Sequence, residues 1–242
     1  MSASTPEQQQ QHTVRFPGET DEYRQARDEL LQAELALRRQ IEAVAEQRRR
    51  LPLGGALPID YPFQEWDPGS CSARTVRLSE LFDQSKQALL LYSFMFNPGP
   101  SGRPLEVACP MCTSMLDAID GEVPHITQHI SFAVATKAPL ERFLAHAHTR
   151  GWRHARLLSS ATTTYNRDYH AETSDAAQRP MATVFVRRGG AIHHFWSSEL
   201  LWAPLDPDQG PRHVDFMWPL WAILDRTPQG RGGDWEPELQ YP

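Results

Sequence analysis

Lysine is almost absent from this chain, which has only Lys86 and Lys137, and cysteine is nearly as scarce, with Cys71, Cys109 and Cys112. Positive charge is outnumbered: 24 Lys and Arg stand against 30 Asp and Glu, a net charge of -6. Such a balance leaves no basic footprint for nucleic acid, so no nucleic-acid partner is expected. An odd, small number of cysteines does not make a secreted disulfide framework. No apolar run approaches the ~20 residues of a membrane span. The N-terminus is rich in Ser, Gln and Glu and lacks the apolar core of a signal peptide. A soluble cytoplasmic protein without membrane contact is the expectation.

The 242 residues suffice for one well-cored domain with appendages. Residues 1–13 are polar and Gln-rich and read as a disordered tail. Residues 14–55 read as a helical arm, with the helix over about 20–50. Thr20 or Asp21 caps it, acids crowd its first turn, Arg48, Arg49 and Arg50 its last, and Pro52 with Gly54 and Gly55 stops it. Tyr23, Leu30, Leu37 and Val44 recur every seven residues, and Ala26, Leu31, Ala33, Leu35 and Ile41 widen the stripe. That stripe serves either docking on the chain's own domain or a homodimer arm.

Residues 56–242 read as the main domain. Residues 51–72 form a Pro- and aromatic-rich connector, and 77–82 a strand end leading into a short helical turn. Residues 87–96 are apolar on both faces, as a central strand should be. A turn-rich loop follows over 97–104. Strands are expected at 130–135, 156–160 and 181–187. A helix spans 138–150, with Pro139 in its first turn and Gly151 at its end. Gly189 and Gly190 turn the strand at 181–187 back into 191–197 as a hairpin. A last helix, 213–224, must kink or restart at Pro219. Strands alternating with helices and then a hairpin imply an α/β fold, a central mixed sheet with helices on both faces. This is the thioredoxin-like plan plus a long N-terminal helix.

Between the first central strand and a short helix lies Cys109-Pro110-Met111-Cys112. The thiolate is the nucleophile in thiol chemistry, and a free thiol at pKa ~8.5 is mostly protonated at neutral pH. A helix N-terminus offers unpaired N–H groups and the positive end of its dipole. Cys109, just outside the helix, is therefore the expected attacking thiol and Cys112, in the first turn, the resolving thiol. Pro110 fits a helix start, where its missing N–H costs nothing. No cofactor is required by this chemistry.

A metal reading competes. Cys109-x2-Cys112-x12-His125-x3-His129 matches the ligand spacing of a Cys2His2 zinc site. Pro124 opposes it by interrupting a helix that would carry both histidines, and so do the acids Asp117, Asp120 and Glu122. The redox reading is preferred and no metal is assigned. Pro180, directly before a strand, stands where the cis-proline facing the cysteines sits in thioredoxin-like folds. Pro110, Pro180 and Tyr165 are the candidate substrate contacts, although Tyr165, Asn166, Asp168 and His170 equally suit a loop that ties itself down. His146, His148, His193 and His194 read as packing or surface histidines, and Cys71 as a packed small apolar residue.

The chain resembles the bacterial DUF899 family, described as thioredoxin-like dithiol-disulfide oxidoreductases. The resemblance runs from about Val14 to near the end. It rests on the 22–31 stretch, Cys109-Pro110-Met111-Cys112, Lys137-Ala138-Pro139-Leu140-Glu141-Arg142, Leu158-Ser159-Ser160, Tyr165-Asn166-Arg167-Asp168-Tyr169, His194-Phe195-Trp196 and Arg212-His213-Val214-Asp215. It implies that fold and a dithiol acting on protein or small-molecule disulfides or thiols. Members often carry Ser-Phe-Trp after the second cysteine. Thr113-Ser114-Met115 stands here instead, which predicts a different surface beside the thiols. The Cys-Pro-x-Cys form also looks like that of glutaredoxins, but no glutathione-binding pattern accompanies it. A non-catalytic scaffold using the same fold is the alternative.

Overall fold

The computed structural model describes residues 13–83, 85–99, 105–207, 209–232 and 235–242. The expected tail up to residue 12 and the expected loop from residue 100 to 104 lie outside them. The chain divides into two units between Leu51 and Pro52.

In the first unit, helix α1 spans Asp21–Arg49. The Thr20 side chain accepts from the Tyr23 N–H at 3.2 Å, and Asp21 and Glu22 sit at the positive end of the dipole. Arg24 is buried between Glu19 and Asp28. Tyr23, Leu30, Leu37 and Ile41 are exposed.

The second unit runs β1 (Pro62–Asp67), β2 (Ser72–Arg77), a 3-10 turn (Leu78–Leu81), β3 (Ala88–Phe94), β4 (Phe96–Asn97), β5 (Val107–Ala108) and α2 (Pro110–Ile119). It continues with α3 (Val123–Ile126), β6 (Ser131–Thr136), α4 (Leu140–Arg150), β7 (Arg156–Ser159), α5 (Tyr165–Asp168), β8 (Met181–Arg188), β9 (Ala191–Ser197) and α6 (Pro219–Leu224). Seven strands form one sheet in the order β2-β1-β7-β6-β3-β8-β9. Strands β3, β6 and β7 are parallel; β8 is antiparallel to β3 and β9 to β8. The β6-β3-β8-β9 core, with α2 joining β3 to β6 and a closing hairpin, is the thioredoxin-like arrangement. Strands β7, β1 and β2 extend it.

Local chemistry explains the connections. Gly151 ends α4 at φ 76° and Gly189 and Gly190 turn the hairpin at φ 58° and 81°, backbone that glycine adopts without steric cost. Pro219 restarts the last helix as expected: a 3-10 turn over Asp215–Met217 ends and α6 begins with the proline in its first turn. The 51–72 connector is not irregular throughout. Its Phe63 and Glu65 are buried and alternate with partly exposed neighbours in β1, whose hairpin with β2 the Pro-rich composition concealed. Cys71 sits in that hairpin turn at φ 48° and is exposed, so its expected packing is corrected: a turn position points to solvent. Residues 54–57, at the junction expected between arm and main domain, pair along β9 through Gly54, Gly55, Ala56 and Leu57.

Strand β3 divides the interior. Its alternate residues Leu90, Tyr92 and Phe94 enter a core with α2, α4 and the segment around Trp218, while Leu89 and Leu91 enter a second core with Tyr61, Phe63, Leu78 and Tyr165. Each fully buried Leu contributes about 1.5–3 kcal/mol. Among the described residues no helix is long and apolar enough to cross a membrane.

Glu65 ties β1 to its neighbours. Its carboxylate accepts from Arg74 Nε at 2.8 Å and from Arg156 Nε at 2.8 Å. Burial pushes its pKa up, but the hydrogen bonds and charges of Arg156 and Arg74 outweigh that and hold it below the ordinary value. Its contribution to stability is therefore complete above the unfolded carboxylate pKa of ~4.3 and is lost as pH falls through the lower folded value. Glu65→Gln should lower the urea midpoint at pH 7, and the gap to the parent should close as the pH approaches 3. A gap independent of pH would mean that the charge contributes nothing.

Candidate active site

The cysteine pair sits where β5 hands over to α2. Strand β4 pairs with β5 through Phe96 with Ala108 and Asn97 with Val107, and the Cys109 N–H donates to the Met95 carbonyl at 3.1 Å. These bonds hold the approach to the helix against the end of β3. Cys109 is the N-cap of α2, Pro110 occupies its first turn, and the Thr113 N–H donates to the Cys109 carbonyl at 2.9 Å.

The two thiols are made unlike by their surroundings. Hydrogen bonding from the Cys112 side chain is the largest influence on Cys109; with the helix N–H groups it outweighs burial and lowers the Cys109 pKa to about 7. Burial is the largest influence on Cys112, and proximity to Cys109 adds to it, so the Cys112 thiol is pushed well above its ordinary value. One thiol is disposed to ionise and the other to stay protonated beside it. Both are unpaired and buried, Cys109 at 4% exposure and Cys112 at 2%. Met111, between them, is exposed, and Pro110 is half-buried.

The stretch after the motif is not the surface that the sequence comparison implied. Thr113 and Met115 are buried, and Ser114 is partly covered. Thr113 Oγ1 lies 3.0 Å from His146 Nε2, whose ring packs against Phe94, Phe96 and Trp152. Burial lowers the His146 pKa, aided by Arg150 and opposed by Asp117. The Trp218 Nε1–H donates to Ser114 Oγ at 3.2 Å. These residues fasten α2 to α4 and to the C-terminal segment.

Pro180 precedes β8 at the same end of the sheet, since Met181 pairs with Ser93. Its carbonyl accepts from His213 Nε2 at 3.0 Å. Pro180 stands where a facing cis-proline would sit, but among the described residues every peptide bond is trans, the isomer that X-Pro favours by about 0.5–1 kcal/mol when nothing forces the other.

Tyr165 is the other correction. It is wholly buried in the second core, on the face of the sheet opposite the thiols, with its ring 5.7 Å from that of Tyr61 and 5.3 Å from that of Phe63. The Tyr61 hydroxyl donates to Asp168 Oδ2 at 3.0 Å, and Asn166 Oδ1 accepts from Ser160. The 161–179 loop is thus tied down by its own aromatic and polar residues. The zinc spacing does not assemble either. His125 and His129 are exposed while the thiols are buried, and among the described residues no three Cys, His, Asp or Glu side chains come close enough to hold a metal ion.

Tyr92 is the residue that sequence reasoning missed. Its hydroxyl donates to Cys112 Sγ at 3.2 Å within the first core. The available signal was one phenol in the otherwise apolar run Leu89-Leu90-Leu91, placed so that strand alternation turns it toward the helix.

With this geometry established, a family model described as "Bacterial protein of unknown function (DUF899)" matches residues 11–241. The chain belongs to the DUF899 family. No curated protein matches it. Among solved structures, it is similar to a reduced 2-Cys peroxiredoxin of Plasmodium vivax, at 17% identity over 58% of this chain and 81% of that one, with a TM-score of 0.42. A thioredoxin peroxidase I of Plasmodium yoelii gives 16%, 79%, 99% and 0.43, and the peroxidoxin BcpB of Mycobacterium tuberculosis 14%, 69%, 94% and 0.42. These likenesses are distant. The fold of this DUF899 chain rests on its own strand order and connections.

Proposed function

We propose that this DUF899 chain is a thiol-disulfide oxidoreductase whose working pair is Cys109 and Cys112. The observation that carries the reading is the unequal setting of the pair: Cys109 at the N-cap of α2, where its pKa is lowered, and Cys112 inside the first turn, 3.2 Å from the Tyr92 hydroxyl, where burial raises its pKa. In the first step the Cys109 thiolate attacks one sulfur of a substrate disulfide R–S–S–R′. A Cys109–S–S–R bond forms, and R′–S⁻ leaves. In the second step Cys112, after losing its proton to solvent or to the released thiolate, attacks Cys109 Sγ. The Cys109–Cys112 disulfide forms, R–S⁻ leaves, and two electrons have passed from the pair to the substrate. The reverse sequence oxidises a substrate dithiol. Protein or small-molecule disulfides and thiols are the substrate class; Pro110 and the exposed Met111 on α2, with Pro180 at the start of β8, are the proposed substrate contacts. No cofactor enters either step.

A non-catalytic scaffold would not require unequal thiols. Mixed-disulfide trapping with Cys112→Ser tests the difference: a covalent adduct on Cys109 is expected, and a chain that forms none with any disulfide offered would overturn the catalytic reading.

For the homodimer, the supporting observation is the exposed stripe of Tyr23, Leu30, Leu37 and Ile41 on α1. Deleting residues 1–50 should halve the number of chains per particle measured by light scattering. An unchanged number of chains per particle would remove α1 as the dimer contact.

A further inference from the structure

Three polar groups act on the Cys112 thiol: the Cys109 side chain, the Met95 backbone and the Tyr92 hydroxyl, which donates to its sulfur at 3.2 Å. The first disappears during the reaction. Once Cys109 is bonded to a substrate sulfur it carries no charge and holds no thiolate for Cys112 to bond. Cys112 must then itself become a thiolate, in a place so buried that few water molecules can solvate it. A donor already aimed at the sulfur is what that step requires.

We propose that Tyr92 is a positioning residue for the second thiol: its hydroxyl donates to Cys112 Sγ and holds the thiolate that forms there while Cys109 is in the mixed disulfide. This rests on the oxidoreductase reading above and adds to it the residue that governs release. Tyr92 lies on β3, pairing with Ala182 of β8 and Val134 of β6, so its backbone is fixed from both sides. At 1% exposure it competes with no solvent for its hydrogen bond. It keeps its own proton, because burial and then the nearby Cys112 raise its pKa well above the ordinary phenol value. It is therefore a donor throughout and not the base. The Cys112 proton leaves to solvent or to the departing thiolate. The electrons of the Cys112 thiolate form the new S–S bond, and those of the Cys109–S–R bond leave on R–S⁻.

The other titratable groups face different partners. His146 of α4 bonds Thr113, His213 of the C-terminal segment bonds Pro180, and the charge of Glu236 acts on Cys109. Tyr92 and Cys109 are the titratable side chains on Cys112 itself.

The two steps separate with 5,5′-dithiobis(2-nitrobenzoate), since each releases one coloured thionitrobenzoate. In Tyr92→Phe the first release should keep its rate within about twofold. The second should slow about three- to tenfold at pH 7, with its pH midpoint displaced upward, because loss of a hydrogen bond to a charged group is partly offset by the greater nucleophilicity of a more basic thiolate. The opposite sign is expected when 3,5-difluorotyrosine, a stronger donor of nearly the same shape, is placed at position 92: the second release should quicken. A second release with unchanged rate and pH midpoint in both variants would overturn the proposal. Absence of any first release from the parent protein would instead overturn the oxidoreductase reading. If Tyr92→Phe does not fold, the fluorinated variant decides alone.

Discussion

Serine at position 109 should reduce disulfide exchange to the uncatalysed background, whereas serine at position 112 should leave the first attack intact and halt the reaction at the mixed disulfide. The asymmetry follows from the environments of the two sulfurs. Cys109 stands at the N-cap of α2, and the Cys112 thiol with the helix N–H groups lowers its pKa to about 7, so its reactivity should rise as pH passes through that value and level above it. At pH 7 such a thiol is about half ionised, against ~3% for an ordinary thiol of pKa ~8.5. A less basic thiolate is also a weaker nucleophile, by roughly fivefold over this interval for a Brønsted slope of ~0.4–0.5. The net advantage at pH 7 is therefore only about threefold. The larger contribution is the second thiol held against the first, which makes the release step intramolecular. Alkylation with iodoacetamide, followed by peptide mass spectrometry between pH 5 and 10, checks the order. Cys109 should modify first with a midpoint about 7, and Cys112 should resist until the protein is unfolded. Equal reactivity of the two would contradict the site as described.

Truncating Phe143 should have the largest effect on stability. The side chain is wholly buried on α4, with ring centroids 5.2 Å from Phe94, 6.1 Å from Phe96 and 6.4 Å from Trp152. It is the point where α4 meets the end of β3 and the short β4 strand. Phe143→Ala should cost about 3–5 kcal/mol, combining lost apolar burial with the cavity left behind. At roughly 2–4 °C per kcal/mol for a domain of this size, the Tm should fall by about 6–20 °C. Exchange should suffer as well, because Phe96 lies in β4, which pairs with β5 immediately before Cys109. Thermal melts followed by circular dichroism measure the first effect. A loss under about 1 kcal/mol would mean that the ring is not packed as described.

The setting of the cysteine pair was legible in the sequence because it is local. A continuous apolar run, a Cys-x-x-Cys and a proline at a helix start lie within thirty residues, and their order alone places Cys109 at the N-cap. The same holds for α4 closed by Gly151, the Gly189-Gly190 turn and the restart at Pro219, each decided by backbone preferences of one or two residues. What only the tertiary structure decided is which side of the sheet a residue serves. Tyr165 and Tyr92 are both phenols in apolar surroundings, yet one fills the core away from the thiols and the other bonds Cys112. That difference depends on where the 161–179 loop crosses and on the strand register of β3, and neither is written in local periodicity. That Thr113 and Met115 are buried likewise depends on α4 and the Trp218 segment closing over α2. Around Cys109, the sequence by itself determined which sulfur stands at the helix N-cap; the packing of β3, α4 and the C-terminal segment decided what surrounds it, because burial is a property of the assembled layers and not of any one segment.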